Sequence, residues 1–207
     1  MDAETGGRGT EGAGRVAVVS GANRGIGLEV ARQLDVADDA NVARLVAGVE
    51  ADLGRLDVLV NNAGILYDTW QRGVDADLAV VHEALETNLF GAWRLCRTAI
   101  PLMRRGGYGR IVNVSSWTGS LASMGGGAPA YSVSKAALNA LTRILGAELR
   151  GTGILVNAVG PGWTATDMGR HGGRTVEEGA RGLVWAATLP DDGPTAGFFH
   201  DGRPEPW

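Results

Sequence analysis

The sequence predicts an α/β fold: a single domain built on a doubly wound parallel sheet. Short apolar runs at residues 15–20 and 56–60 have the length and composition of buried parallel strands. Helical patterns follow them, as expected of strand–helix–strand units. Glycine, amide and serine residues stand directly after the apolar runs. That is the end of the strands where open α/β sheets bind ligands.

The remaining elements continue this alternation. Further strands are predicted at residues 109–116, 153–158 and 198–199, the last of them at the sheet edge. Helices are predicted at residues 28–34, 42–53, 75–103, 129–149 and 177–189. The polar, glycine-rich stretch 163–175 is interpreted either as a mobile lid over a bound ligand or as a plain surface loop.

One piece of the expected sheet is missing from the sequence. In a doubly wound fold the first helix leads to a second strand, which carries the residue that selects the ribose. Here Leu34 runs straight into the polar stretch 35–41 and then into the next helix. A strand–helix–strand piece of about 30 residues is absent. Either the protein lacks it, or a stretch between Leu34 and Asp35 is unresolved.

Composition narrows the classes of partner. The 207 residues carry a net charge of -4 without a basic stripe, which argues against nucleic acid or an anionic membrane as a partner. No apolar run reaches the roughly 20 residues that span a bilayer. The lone Cys96 and the scattered His82, His171 and His200 have no metal-ligand spacing, so we expect no metal, and a reducing cytoplasm fits. Residues 1–14 are predicted to be a disordered leader and residues 15–207 the domain.

A glycine-rich turn follows the first predicted strand. Glycines at 21, 25 and 27 allow a tight turn and a close approach of the backbone to a ligand. The helix that follows presents free N–H groups, which suit a pyrophosphate. Arg24 adds a positive charge where a ribose 2′-phosphate would sit. The alternatives are a glycine-rich turn without a ligand and a solvated loop arginine.

The pair Tyr131 and Lys135 is the strongest catalytic candidate. The two residues stand at i and i+4 of a predicted helix, so both side chains lie on one face. Lys135 is the single lysine among 19 basic residues, the others being arginine. A nearby ammonium would lower the pKa of Tyr131 and let it exchange a proton near neutral pH. The alternative is an ordinary amphipathic turn.

Three further polar features accompany the predicted elements. Residues 61–64 (NNAG) end the strand at 56–60, and the alternative to a ligand role is a turn stabilised by asparagine side chains. Asn88 falls inside a helical run, where asparagine is unfavourable, and this predicts either a kink or a specific polar role. Its alternative is an exposed helix asparagine. Ser116 ends a strand, where it would either bond a substrate oxygen or cap a turn.

Together these stretches resemble the short-chain dehydrogenase/reductase family, whose fold is Rossmann-like. SGANRGIG at 20–27 is similar to the family's TGxxxGxG turn, with Ser20 in place of threonine. The other matches, in family order, are NNAG (61–64), Asn88, NVSS (113–116), YSVSK (131–135) and Pro161 with Gly162 followed by Thr166. The ending GFFHDGRPEPW (197–207) is similar to the tails of carbonyl-reductase-like members. The resemblance runs from Arg15 to the C-terminus, apart from the gap after Leu34.

The resemblance implies a role for each matching residue. Tyr131 is the acid/base, Lys135 lowers its pKa and holds the nicotinamide ribose, Ser116 steadies the substrate oxygen, and Asn88 holds a water in a proton relay. Asp35 and Val36 resemble the Asp-Val that meets the adenine in the family. The residues implied in cofactor binding are Gly21, Asn23, Arg24, Gly25, Ile26, Gly27, Asp35, Val36, Asn61, Ala63, Gly64, Tyr131, Lys135, Pro161, Gly162, Thr164 and Thr166.

The implied function is an NADPH-dependent oxidoreductase that reduces a ketone or aldehyde to an alcohol, or the reverse. Two other functions stay open because the gap removes the usual selector between NAD and NADP: a cofactor-independent acid/base enzyme and a non-catalytic binding protein. The stretch from Ser116 to Tyr131 is far shorter than the inserted helix of monomeric carbonyl reductases. The helices at 75–103 and 129–149 are therefore expected to form a homodimer or homotetramer, unless their apolar faces are covered within the monomer. Trp163, Trp117 and Met124 are candidates for an apolar substrate pocket, or for core packing.

Overall fold

The computed structural model describes residues 15–21, 37–166, 168 and 173–207. Its centre is a six-stranded sheet in the order β1-β2-β3-β4-β5-β6. The strands are β1 (Ala17–Val19), β2 (Val58–Asn61), β3 (Gly109–Val114), β4 (Ile154–Val159), β5 (Phe198–His200) and β6 (Arg203–Pro204). The first five run parallel, and β6 pairs antiparallel with β5. The predicted parallel α/β sheet is confirmed.

The predicted place of residues 198–199 at the sheet edge is wrong. These residues form part of β5, which lies between β4 and β6. The chain turns at Asp201 and Gly202, both with positive φ, and returns as β6. The sequence showed no strand pattern for two residues that include a proline, because proline in a sheet is confined to edges.

Five α-helices and one π-helical segment cover the described part of the sheet. They are α1 (Asp39–Leu53), α2 (Leu78–Leu85), the π segment (Glu86–Gly91), α3 (Ala92–Gly106), α4 (Pro129–Glu148) and α5 (Val176–Ala187). The helical run predicted at 75–103 is confirmed as the uninterrupted stretch of α2, the π segment and α3, and the π turn contains Asn88, where the sequence predicted a kink or a polar role. The predicted helix at 28–34 and the predicted leader lie outside the described residues.

Local signals explain where these helices begin and end. The Asp38 side chain accepts hydrogen bonds from the backbone N–H groups of Ala40 and Asn41, at 2.7 and 3.0 Å, and caps α1. Gly54 ends the same helix in the left-handed region, with φ 68°. Helix α5 begins with a reciprocal capping box between Thr175 and Glu178.

Alternate residues of the central strands face two separate hydrophobic cores. Leu59, Ile111 and Val156 pack in the larger core. That core also contains buried side chains of α1, α3 and α4, namely Val42, Val46, Leu95, Leu102, Leu138 and Leu145. Val60, Val112 and Val159 point to the other face, where Ala186 of α5 covers them. Helices on both faces confirm the doubly wound arrangement.

Strand β1 forms one side of the described sheet. It pairs with β2 in the register Ala17↔Val58, and no strand among residues 15–21, 37–166, 168 and 173–207 pairs with its other side. Val19 is 44% exposed. This is the position at which the sequence lacks the second strand. No helix in the described ranges is long and apolar enough to cross a membrane.

Candidate active site

The end of β1 is bonded to the NNAG stretch that follows β2. The Ser20 hydroxyl accepts hydrogen bonds from the N–H groups of Asn62 and Ala63, at 3.1 and 3.2 Å. The Asn62 amide in turn donates to the carbonyl oxygens of Ser20 and Gly21, at 3.1 and 3.2 Å. These bonds fix two neighbouring strand ends side by side, at the carboxyl edge of the sheet.

Gly21 is required by this close approach. Its φ is +67°, and a Cβ added there would lie 2.5 Å from the Cα of Ala63. Both the backbone conformation and the contact exclude a side chain. The other predicted residues of the turn, Asn23, Arg24, Gly25, Ile26 and Gly27, lie outside the described residues, as do Asp35 and Val36. Their roles stay predictions.

Asn61 lies below this edge rather than at its surface. It is 3% exposed, and its amide donates to the Asn113 side-chain oxygen at 2.8 Å and to the Cys96 sulfur at 3.2 Å. Burial raises the pKa of the Cys96 thiol to about 12. Asn61 therefore faces the α3 side of the sheet, and the structure does not bring it to the catalytic candidates.

Asn88 sits in the π segment and ties three elements together. It is 1% exposed, and its side-chain oxygen accepts from the Ile65 N–H at 2.8 Å. Its amide donates to the Ile65 carbonyl at 3.0 Å and to the Ser134 hydroxyl at 2.9 Å. A π turn inside an α-helix is frequent at functional sites. The prediction of a specific polar role is confirmed, and the alternative of an exposed helix asparagine is wrong.

Lys135 is buried and directed toward the end of β3. It is 3% exposed, and its ammonium donates to the Val114 carbonyl oxygen at 2.8 Å. Burial lowers the pKa of Lys135 to about 8. The ammonium also lies near Gly64, where an added Cβ would come within 3.4 Å of it and within 3.3 Å of the Asn88 oxygen. Gly64 thus leaves a small recess beside the two polar groups.

Tyr131 meets Ser116 at the same edge. Burial raises the pKa of Tyr131, while its hydrogen bond with Ser116 lowers that pKa in part. The prediction that Lys135 lowers the pKa of Tyr131 is wrong for this arrangement. The Lys135 ammonium is 5.6 Å from the ring centre and is bonded to Val114, so loss of solvent around the phenol has the larger effect.

The two serines after β3 have separate environments. Ser116 caps the short 3₁₀ turn Trp117–Gly119, where its hydroxyl lies 3.3 Å from the Thr118 N–H and 3.1 Å from the Thr118 hydroxyl. Ser115 is buried and donates to the Asn139 side-chain oxygen at 2.6 Å. Ser116 is therefore the serine that faces Tyr131, and it also has the turn-capping role that the sequence left as an alternative.

The residues after β4 form a pinned loop. Gly162 has φ +76°, and a Cβ there would lie 3.1 Å from the His200 ring. Thr164 is bridged to Arg174, whose guanidinium binds both carboxylate oxygens of Asp201. The His200 ring packs on Trp117, with ring centroids 4.9 Å apart. This cluster brings Gly162 and the base of the loop close to the residue that follows Ser116.

The structure describes only part of this loop, namely residues 161–166, 168 and 173–175. Pro161 accepts from Thr164 and Arg174 through its carbonyl oxygen, at 3.4 and 3.3 Å. Thr166 is described and donates its N–H to the Thr164 carbonyl at 2.8 Å. The lid interpretation falls largely on residues 167 and 169–172, outside the described residues, and stays a prediction.

A cavity of about 450 Å³ opens beside the Trp117 turn. Its lining includes Trp117, Ser123, Ser132, Glu205 and glycines 125–127. Trp163 and Met124 do not line it. Of the three residues predicted to form an apolar pocket, Trp117 alone lines this cavity. Small and polar residues form most of its wall.

Two residues that hold the site together, Ser134 and Asn62, had no individual role predicted from the sequence. The Ser134 hydroxyl accepts from Asn88 and donates to the Tyr131 carbonyl oxygen at 2.8 Å. Its position three residues after the tyrosine was the available signal, since serine in a helix bonds a carbonyl one turn earlier. Asn62 belongs to the NNAG stretch but is identified as a strand-end clamp only once its partners at Ser20 and Gly21 are known.

The comparison with known proteins agrees with this geometry. A family model described as enoyl-(acyl carrier protein) reductase matches residues 11–184. The chain belongs to the short-chain dehydrogenase/reductase family. Members of this family are oxidoreductases, and this member carries the tyrosine, lysine, serine and asparagine at one edge of its sheet.

Two curated relatives support the membership of this short-chain dehydrogenase/reductase. Nodulation protein G of Azospirillum brasilense is 40% identical over 134 residues, which is 65% of this chain and 53% of that protein. The match thus spans about half the length of that relative. Carbonyl reductase [NADPH] 3 of Mus musculus is 30% identical over 262 residues, covering 86% of this chain and 92% of that protein.

A solved structure shows the same fold. NADPH-bound carbonyl reductase from chicken fatty liver superposes with a TM-score of 0.78 at 27% identity, covering 93% of this chain and 88% of that chain. The alignment to the mouse relative also bears on the gap. Its 262 positions include 86% of this 207-residue chain, about 178 residues, so about 84 positions have no residue from this short-chain dehydrogenase/reductase.

Proposed function

We propose that this protein is an NADPH-dependent reductase of a ketone or aldehyde, with Tyr131 as the proton donor. The observation that carries the proposal is the meeting of Tyr131 and Ser116 beside the buried ammonium of Lys135. These groups lie at the carboxyl edge of a parallel sheet, where open α/β folds bind nucleotides. The mouse and chicken relatives are carbonyl reductases that are described with NADPH.

The described residues fit the nicotinamide ribose of such a cofactor. The Lys135 ammonium has three donors. One of them is used on Val114, and the other two can point into the recess beside Gly64. Ribose hydroxyl groups are the kind of acceptor that a buried ammonium requires. When bound, the reduced nicotinamide supplies the hydride for the carbonyl carbon.

The chain's own residues supply the proton and the orientation. With its pKa raised by burial, the Tyr131 hydroxyl is protonated at neutral pH and can donate to the substrate oxygen. Ser116, hydrogen-bonded to Tyr131, can hold the same oxygen in place.

The choice of NADPH over NADH rests on Arg24 and on the relatives. Arg24 belongs to the glycine-rich stretch for which the sequence predicts a turn, and an arginine fork there would bind a ribose 2′-phosphate well. The free, buried Cys96 suits a reducing compartment such as the cytoplasm. Direct comparison of NADPH and NADH affinities by calorimetry tests the preference. Equal affinities for NADPH and NADH would contradict the proposed role of Arg24 in binding the 2′-phosphate.

The central assay follows oxidation of NADPH with a panel of ketones and aldehydes. We expect turnover with at least one carbonyl and a loss of about 100-fold or more in Tyr131→Phe, because proton transfer contributes at that scale. Tyr108→Phe is the matched control. Arg15 and Arg110 both lie over the Tyr108 ring, and its buried hydroxyl has no hydrogen-bond partner among the described residues, so this control should turn over normally. Full activity of Tyr131→Phe would contradict the assigned role.

A second candidate is an acid/base enzyme that uses the same side chains without a dinucleotide. It is motivated by β1, which has a partner strand on one side only in the described sheet. Tight NADPH binding in calorimetry would rule it out. Absence of both NADPH binding and turnover, with capture of a defined partner, would instead favour the third candidate, a non-catalytic binding protein.

We also propose that two copies associate through the helices around α4. The apolar side chains of Phe90, Trp93, Val133 and Ile144 are left partly uncovered by the part of the chain that the structure describes, at 41, 43, 49 and 50% exposed. They lie on the π segment, α3 and α4. A two-fold dimer uses the same surface on both copies, so this one apolar surface can pack against itself. Sedimentation should show a dimer or tetramer for the wild type and a monomer for Ile144→Arg. A monomeric wild type would contradict the proposal.

A further inference from the structure

Helix α4, which carries Tyr131, begins without a cap of its own. The residue before it, Ala128, has φ 42° and ψ 54° and no side-chain hydrogen bond to the helix. The first N–H groups of a helix need acceptors from elsewhere. In this structure the acceptor comes from Asp68, a residue more than 60 positions earlier in the chain.

Asp68 takes the place of the missing cap. It is 1% exposed, and its Oδ2 accepts from the Ala130 N–H at 2.6 Å and from the Tyr131 N–H at 3.4 Å. These are the second and third residues of the helix, the two donors that a capping side chain normally satisfies. A carboxylate at this end also interacts favourably with the helix dipole.

The backbone of Tyr131 is thereby held at both of its polar groups. Its N–H faces Asp68, and its carbonyl oxygen accepts from Ser134 at 2.8 Å. Ser134 is bonded to Asn88, which also holds Ile65 near the start of the loop that contains Asp68. The loop after β2 and the catalytic helix are therefore linked twice, on either side of the tyrosine.

We propose that Asp68 is a positioning residue that sets the placement of Tyr131 relative to Ser116. This rests on the proposed function for its catalytic consequence. Asp68 lies on the loop that continues from NNAG, and it bonds the first turn of α4, so it couples the cofactor edge to the proton donor. Small displacements of a reacting group are costly for catalysis, about 100-fold for 1 Å.

The variants separate positioning from simple capping. Asp68→Ala removes the acceptor, whereas Asp68→Asn keeps an oxygen that can accept from Ala130 and should rescue. Asp77→Ala is the matched control, because Asp77 caps α2 through the Ala79 N–H at 2.8 Å and is exposed. Asp68→Ser, which keeps a polar group with shorter reach, replaces Asp68→Ala if that variant does not fold.

Two readouts decide the proposal. In steady-state kinetics we expect Asp68→Ala to lower kcat about tenfold or more, with the NADPH dissociation constant changed by less than about twofold. Asp68→Asn and Asp77→Ala should stay within about threefold of the wild type. Equal losses in kcat for Asp68→Ala and Asp77→Ala, or an unchanged kcat in folded Asp68→Ala, would overturn the proposal.

The second readout does not depend on turnover. Amide hydrogen exchange at Ala130 and Tyr131 should be about tenfold faster or more in Asp68→Ala and near wild type in Asp68→Asn. Unchanged exchange in Asp68→Ala would overturn the positioning role. If the wild type oxidises no NADPH, the proposed function fails, and the exchange measurement still shows whether Asp68 holds the tyrosine.

Discussion

The ammonium of Lys135 lies 5.6 Å from the ring centre of Tyr131 and donates to the Val114 carbonyl rather than to the phenol. Burial therefore acts on both residues in the direction of their neutral forms. It lowers the pKa of Lys135 to about 8 and raises the pKa of Tyr131. The site holds a protonated phenol beside an ammonium that ligand binding can stabilise.

The first prediction concerns stability against pH. Lys135 has a folded pKa of about 8 against 10.5 for the free side chain, so the unfolded chain binds more protons between these values. The buried ammonium therefore lowers the free energy of unfolding by about 3 kcal/mol below about pH 8. The free energy of unfolding rises by this amount as pH increases toward 10.5. Urea unfolding should show this rise in the wild type.

Lys135→Met supplies the control for that measurement. The difference in unfolding free energy between wild type and Lys135→Met should change with pH in this window, because other titrating groups cancel. A difference that is independent of pH between about 7 and 10 would mean that Lys135 is not buried as an ammonium.

The second prediction concerns proton uptake on binding. At about pH 8 Lys135 is half protonated, and an anionic dinucleotide would raise its pKa. NADPH binding should then take up a fraction of a proton, which calorimetry detects as a dependence of the binding enthalpy on the ionisation enthalpy of the buffer. Near pH 6 the uptake should vanish, since the ammonium is already protonated. Equal enthalpies in all buffers at pH 8 would contradict this.

The third prediction concerns Asn88. Asn88→Ala removes the side-chain partner of the part-buried Ile65 N–H and carbonyl, at about 1–3 kcal/mol for each unsatisfied group, and removes the donor to the Ser134 hydroxyl, which keeps its bond to the Tyr131 carbonyl. We expect a loss of about 2–5 kcal/mol in urea unfolding, together with a lower kcat. Asn41→Ala, at a partly buried position in α1, should cost less than about 1 kcal/mol. Similar losses in both variants would show that the Asn88 hydrogen bonds contribute no more to the free energy of unfolding than the contacts of Asn41.

The fourth prediction separates backbone strain from contact. Gly21 and Gly54 have nearly the same φ, +67° and +68°, but only Gly21 has a neighbour, with the Ala63 Cα 2.5 Å from an added Cβ. Gly54→Ala should cost about 1 kcal/mol, from the left-handed backbone alone. Gly21→Ala should cost clearly more and weaken NADPH binding, because Ala63 must move. Equal losses of stability for Gly21→Ala and Gly54→Ala in thermal unfolding would mean that Ala63 moves away from the added Cβ at no energetic cost.

Much of the fold followed from local patterns in the sequence. Apolar runs gave β2, β3 and β4 to within two residues at each end, because strands buried on both faces carry continuous apolar sequence. The NNAG and Tyr–Lys motifs indicated residues that the structure places at the carboxyl edge of the sheet, since each motif depends on a few consecutive residues. The parallel direction of β1 to β5 also followed from the alternation of strands with helices.

The features that were missed depend on contacts between distant parts of the chain. Asp68 caps a helix more than 60 residues away, and the π segment around Asn88 is held by Ile65 and Ser134. The wrong direction for the Tyr131 pKa has the same origin. Helical spacing placed a charge nearby, but burial and the Val114 carbonyl, which the sequence does not reveal, decide the outcome.

The most direct test of the central claim is transfer of label from NADPH in which both hydrogens of the reactive nicotinamide carbon are deuterium. The account predicts that a carbonyl substrate is converted to an alcohol with one deuterium on the former carbonyl carbon, and that Tyr131→Phe slows this transfer about 100-fold or more. Substrate conversion without deuterium in the product, or equal transfer in Tyr131→Phe, would contradict it.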